Sequence, residues 1–188
     1  GTVINEPVEI EFWHAMTGNH EEALTQITED FNAQNELITV KLVGQGSYGD
    51  LSQKLMAAAK AKTSPALSQA YEDWVTEYIQ NDLVEELTPY MQDASVRWSD
   101  EELNDIVKVF RDANQWDGKY YSLPFNKSTR VLFYNKGLFE EHGVKVPTNW
   151  DELKEAAAKL TLDTDDDGNN DVIGMGFENS VTDEFSTF

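Results

Sequence analysis

Apolar positions along the chain fall into short runs that alternate with stretches repeating every three or four residues, the pattern of an α/β protein. Residues 8–13 read as a strand, and residues 21–32 as a helix with Leu24, Ile27 and Phe31 on one face. Residues 38–43 form a second expected strand. Ser47 stands where a helix cap belongs, ahead of Leu51, Leu55 and Ala58 on the apolar face of the next helix. Residues 65–71 read as a third short strand. Together these close a βαβαβ unit whose crossovers are expected to be right-handed.

Helices are expected next at 74–80 and 101–112, the second stacking Leu103, Ile106, Val107 and Phe110. Trp116-Asp117-Gly118-Lys119 reads as a turn, followed by an extended stretch at 120–125. Residues 131–134 are another expected strand. Thr148 is the expected cap of a helix over 150–160 that turns Trp150, Leu153, Ala157 and Leu160 inward. A last strand is expected at 172–177. There is no internal repeat and no low-complexity linker.

A length of 188 residues suits one good-sized domain or parts of two. The 40% hydrophobic and 11% aromatic content supports a packed core rather than disorder. Charge narrows the partners. Against 14 Lys plus Arg stand 35 Asp plus Glu, a net charge of -21, so the clustered cations that displace counterions from nucleic acid are missing. The same excess weakens docking onto anionic lipid. The absence of cysteine excludes thiol catalysis, zinc–thiolate sites and disulfides, and is compatible with export from an organism that does not use disulfides. No apolar run approaches the roughly 18 residues of a membrane span. The opening Gly1-Thr2-Val3-Ile4 carries no signal segment, so a signal or lipid anchor is expected to have been cut away, and the chain reads as truncated soon after its last strand.

The sharpest local motif is acidic. Asp163, Asp165 and Asp167 with Gly168, Asn169 and Asp171 match positions 1, 3, 5, 6, 7 and 9 of a calcium loop, with Asn169 offering its backbone carbonyl. A hard cation needs about six or seven converging oxygens, and alternate side chains on a tight loop supply them. Position 12 is Gly174 where the usual loop has a bidentate Glu, so Glu178 or water would have to stand in. The competing reading is a solvated acidic turn. Calcium here would be structural.

Enzyme chemistry finds no specific residue set. Paired carboxylates for glycoside hydrolysis are uninformative among 35 acids, and there is no nucleophile elbow, Gly-rich phosphate loop or His-x-x-x-His. Of the three histidines, His20 and His142 are expected at the surface. Aromatic residues say more: Trp13, Tyr48, Tyr71, Trp74, Tyr120, Tyr121 and Trp150 include several near expected strand ends. Ligands of open α/β sheets bind beyond the carboxyl ends of strands, and aromatic faces beside carboxylates and amides suit polyols and sugars.

Several stretches together resemble the bacterial family 1 extracellular solute-binding proteins. They are residues 12–18 (FWHAMTG), Gly46-Ser47-Tyr48, Gln69-Ala70-Tyr71-Glu72, residues 117–126 (DGKYYSLPFN), residues 131–136 (VLFYNK) and residues 147–153 (PTNWDEL). The resemblance covers nearly the whole chain, in order. Phe12-Trp13-His14 and the Pro-Phe-Asn-x-Ser-Thr run resemble sn-glycerol-3-phosphate-binding proteins in particular.

This resemblance implies a two-lobe, type II periplasmic-binding-protein-like α/β fold, here truncated to its N-terminal half. It places residues 1–123 in the first lobe and 124–188 in the hinge crossing and start of the second, with the hinge near Leu123-Pro124. It implies three ligand contacts, Tyr48, Glu72 and Ser128, and no catalysis. Their chemistry agrees: Glu72 can accept from two hydroxyls, while Tyr48 and Ser128 are neutral donors. Without the resemblance, Glu72 reads equally as a helix-start carboxylate and Ser128 as a cap. Lys127 and Arg130, beside Ser128, are expected either to attract phosphate or to face solvent.

The implied protein is a monomeric extracytoplasmic receptor, periplasmic or a cell-surface lipoprotein. It would deliver glycerol-3-phosphate, a glycerophosphodiester or a sugar to the membrane permease of an ABC importer. The alternative is a secreted, calcium-stabilised carbohydrate-active enzyme. A dockerin-type interaction module takes two calcium loops, and one is present.

Overall fold

The computed structural model describes residues 4–128 and 131–176. The chain separates into two compact units, residues 1–127 and 128–188. Arg130, Phe177 and Glu178 lie outside the described residues.

The first unit is built on β1 (Val8–His14), α1 (Gly18–Gln34), β2 (Ile38–Gly44), α2 (Tyr48–Ala61) and β3 (Leu67–Ser68). The strands form a parallel sheet in the order β2-β1-β3, with Val8 opposite Ile38 and His14 opposite Gly44. The expected βαβαβ unit is present. Its third strand is much shorter than residues 65–71, pairing only Leu67 with Phe12 and Ser68 with Trp13. Pro65 has no N–H for a ladder, and Tyr71 already caps the next helix, so both ends are lost to other roles.

Ser47 caps α2 as expected: its hydroxyl accepts from the Asp50 N–H at 3.1 Å while the Asp50 carboxylate accepts from the Ser47 N–H at 3.0 Å. Leu51, Leu55 and Ala58 are buried, and Leu51 and Leu55 join Ala15 in the core beneath Trp13, Tyr48, Trp74 and Tyr78. The α1 face differs from expectation. Leu24 is buried, but Ile27 is 63% exposed, and with Phe31 and the sheet residues Ile10 and Val40 it lines an open apolar groove of about 330 Å³.

Beyond the sheet come α3 (Glu72–Gln80), α4 (Thr88–Gln92), α5 (Asp100–Asp105) and α6 (Lys108–Asp112). The single helix expected over 101–112 is broken. Ile106 and Val107 are extended, at ψ 126° and 120°, as β-branched residues with a weak helix preference. Arg111 makes the break tolerable by donating to the Leu103 carbonyl at 2.7 Å. A hairpin follows, β4 (Gln115–Trp116) and β5 (Lys119–Tyr120), turning through Asp117 (φ 51°) and Gly118 (φ 78°) as the sequence predicts. Of the extended stretch expected over 120–125, only Tyr120 is in a strand.

The second unit holds α7 (Lys136–Glu141) and α8 (Trp150–Lys159) around Phe139, Ala156 and Leu160. Asn149, not Thr148, caps α8, accepting from the Glu152 N–H at 2.9 Å. Thr148 instead donates through N–H and hydroxyl to the Glu152 carboxylate. Trp150 is 63% exposed rather than inward, because Ala156 and Leu160 set the buried stripe. Neither strand expected here forms a ladder: residues 131–134 pair with no described segment, and of 172–176 only Val172 forms a bridge, to Leu162. Gly174 lies so close to the Ala157 carbonyl that a Cβ could not fit. Among the described residues, no helix is long and apolar enough to cross a membrane.

Candidate functional site

In the first unit, polar groups gather beyond the carboxyl ends of the three parallel strands, where open α/β sheets hold ligands. Gln69 directly follows β3 and is 5% exposed. Its side chain ties three segments together. The carbonyl oxygen accepts from the Ala15 N–H at 2.8 Å, just past β1. The amide nitrogen donates to the Asn126 side chain at 2.9 Å and, at 3.5 Å, to the Tyr48 hydroxyl. Asn126 donates in turn to Tyr48 at 3.1 Å. A buried amide with both ends occupied fixes its neighbours, since a half-satisfied one would be penalised. Tyr48, the first residue of α2, is therefore held by two amides.

Aromatic packing adds a wall. Tyr48 and Tyr71 lie 4.9 Å apart, and Tyr71 meets Trp74 edge-on at 5.2 Å. Trp74 and Tyr48 rest on the core, while Tyr71 is 40% exposed.

Glu72 opens α3 between Tyr71 and Trp74, and its carboxylate is ion-paired with Lys127. Partial burial pushes the Glu72 carboxyl upward, but the hydrogen bond from Lys127, the group's own backbone N–H and the lysine charge together bring it below its ordinary value. Glu72 is thus a charged acceptor at neutral pH. Tyr48 and Glu72 thus each open a helix, and Tyr71, directly before Glu72, packs on Tyr48. Ser128 is exposed and is the first residue of the second unit. Of the other aromatic candidates, Tyr120 and Tyr121 belong to the hairpin region, where Tyr121 meets Trp116 edge-on, and Trp150 belongs to the second unit.

The acidic loop is in the second unit. Carboxylate oxygens of Asp163, Asp165 and Asp171 lie within 4.8 Å of one another. Asp163 accepts from the Gly168 N–H at 2.8 Å, which holds its carboxyl below the ordinary value, and Gly168 takes φ 90° to make the turn. Asp171 accepts from the Thr164 N–H and hydroxyl at 2.8 and 2.6 Å. Asp167 is outside that trio, its carboxylate accepting from the Asn169 N–H at 2.7 Å. Three hard oxygen donors on a tight turn fit a calcium-type ion rather than a soft metal.

Comparison with known proteins matches residues 17–185 to the bacterial extracellular solute-binding protein family. The chain belongs to that family. A candidate binding protein of Brucella abortus (strain 2308) is 35% identical over 149 residues, covering 79% of this chain and 34% of its own length. The sn-glycerol-3-phosphate-binding periplasmic protein UgpB of Rhizobium meliloti (strain 1021) is 29% identical over 157 residues, 81% of this chain and 36% of its own. Among solved structures, the galacto-N-biose-/lacto-N-biose I-binding protein of the ABC transporter from Bifidobacterium longum superposes with a TM-score of 0.66 at 26% identity, over 85% of this chain and 38% of that one. The chain thus spans about a third of the curated relatives it matches, and its fold is part of the two-lobe solute-binding fold.

Three residues of this candidate site escape a reading based on residue types alone. Gln69 and Asn126 lie in stretches that carry the family resemblance, yet nothing in their spacing announces that they meet across 57 residues. A polar amide directly after a strand is the available signal for Gln69. Lys127 is visible in sequence only as a charge beside Ser128; its partner, 55 residues away, is not.

Proposed function

We propose that this chain is part of the solute-capturing component of an ABC importer, a non-enzymatic receptor that works outside the cytoplasm. It would hold a hydroxylated small molecule at the strand-end site of its first unit and deliver it to a membrane permease. The carrying observation is the juxtaposition of Tyr48, pinned by Gln69 and Asn126, with the charged Glu72 beside exposed Tyr71. Hydroxyl-rich ligands need acceptors, donors and an apolar face together, and this edge offers all three. The family match supports the receptor role. The names of the relatives support the ligand classes: glycerol-3-phosphate for UgpB, and a disaccharide for the Bifidobacterium protein. Residues 1–123 as first lobe, 124–188 as the start of the second, Ser128 as a contact from that second lobe, and membrane anchoring as a lipoprotein belong to the same reading.

A thermal-shift panel on the protein extended to the length of its relatives tests it, with sn-glycerol-3-phosphate, glycerophosphocholine, maltooligosaccharides and lacto-N-biose. One compound raising the melting temperature, as mass action requires of a ligand bound only by the folded state, is the expected result. Silence throughout, with hydrolysis of a sugar in the panel, would replace the receptor by a secreted carbohydrate-active enzyme.

A second proposal concerns the acidic loop. Asp163, Asp165 and Asp171 would hold a structural calcium ion, joined by Asp167, the Asn169 carbonyl and water. The proximity of the first three carboxylates favours it, since anions this close repel without a cation.

A further inference from the structure

We propose that Lys127 is itself a ligand-binding residue and that, paired with Glu72, it reads two neighbouring neutral hydroxyls rather than an anionic group. This rests on the proposed strand-end solute site. The ammonium already contacts the Glu72 carboxylate, so the pair carries no net charge toward a ligand. A phosphate brought to Lys127 would lie beside that carboxylate, inside a chain whose charge is -21, and the attraction of one partner would be offset by the repulsion of the other.

A vicinal diol meets complementary chemistry. One hydroxyl donates to Glu72, and its neighbour accepts from Lys127, both in charge-assisted hydrogen bonds. The ammonium has three N–H donors, and Glu72 takes one. Both side chains are about one-third exposed, 32% for Lys127 and 37% for Glu72, so each is held by its partner yet open to a ligand. Tyr71, directly before Glu72 and 40% exposed, offers an apolar face to the C–H side of the same polyol. The subsite therefore takes the neutral diol of a sugar ring or of a glycerol unit. A phosphate on the same ligand is held elsewhere.

The test is calorimetric titration of the full-length protein with lacto-N-biose and sn-glycerol-3-phosphate, both diol-bearing, using Lys127→Met, Glu72→Gln and the double variant. Lys127→Met is expected to weaken whichever probe the unsubstituted protein binds by about tenfold or more, the scale of a charged hydrogen bond. The double variant should lose less than the sum of the two singles. A neutral probe should also bind alike at about 50 and 500 mM salt. Unchanged melting of Lys127→Met confirms that the loss is in binding. Intact affinity in Lys127→Met overturns the proposal while leaving the receptor function standing. So does a clear drop, in Lys127→Met, of the salt dependence with which the parent binds the phosphorylated probe, which would make Lys127 a phosphate reader. Failure of the parent protein to bind any polyol overturns both readings together.

Discussion

The two units treat apolar sequence in opposite ways. In the first, residues 8–14 and 38–44 are paired along their whole length, and His14 at the end of β1 and Leu51 of α2 are almost fully buried. In the second, Val131-Leu132-Phe133-Tyr134 is at least as apolar, yet it pairs with no described segment and Phe133 is 91% exposed. Strand propensity is thus a property of a pair. A run of β-branched and aromatic residues becomes a strand only where a neighbour offers a ladder and a face to bury. The candidate site follows the paired sheet: Gln69 comes directly after β3, and its side chain binds Ala15 just past β1.

Breaking the better-packed unit should have the largest effect. Leu51→Ala is expected to cost about 2–5 kcal/mol. Hydrogen exchange should quicken through β1, β2 and α2 while α7 and α8 keep their protection. Equal loss in both units would mean that they unfold as one body. The second unit should answer to calcium instead. Its melting transition should rise by an amount corresponding to about 2.7 kcal/mol at a hundredfold excess over Kd and fall with chelator, and no shift across millimolar calcium would remove the loop as a cation site.

Smaller effects sharpen the contrast at the helix ends. Ser47→Ala in the first unit and Asn149→Ala in the second should each cost about 1 kcal/mol in denaturant unfolding. A larger loss from Thr148→Val than from Asn149→Ala would return the cap of α8 to Thr148. Smallest is the acid response. The Ser47 hydroxyl and N–H lower the carboxyl of Asp50, and the Ser99 N–H and hydroxyl that of Glu102. The Thr148 N–H and hydroxyl do the same for Glu152. Depressed carboxyls stabilise above their unfolded values and lose that contribution as pH falls through the lower folded ones. Helicity followed by circular dichroism should hold down to the ordinary values of 4.5 for Glu and 3.8 for Asp, then decline in both units.

Much of the first unit was legible because its signals are local. Alternating strand and helix periods, the Ser47 cap and the Asp117-Gly118 turn each need only a few adjacent residues. What sequence could not supply was long-range. The Gln69 side chain accepts from Ala15 across 54 residues, and Trp116 donates to Thr76 across 40. The site divides the same way. Tyr48 and Glu72 came from motif resemblance, whereas the residues that position them, Gln69, Asn126 and Lys127, are joined across more than fifty residues.

The most direct test of the strand-end site is the affinity of Glu72→Ala in the full-length protein for the solute that the panel identifies. Loss of about tenfold or more, with the melting temperature of the ligand-free protein little changed, is the predicted result. Affinity equal to that of the parent would contradict the site and move solute capture to another part of the molecule.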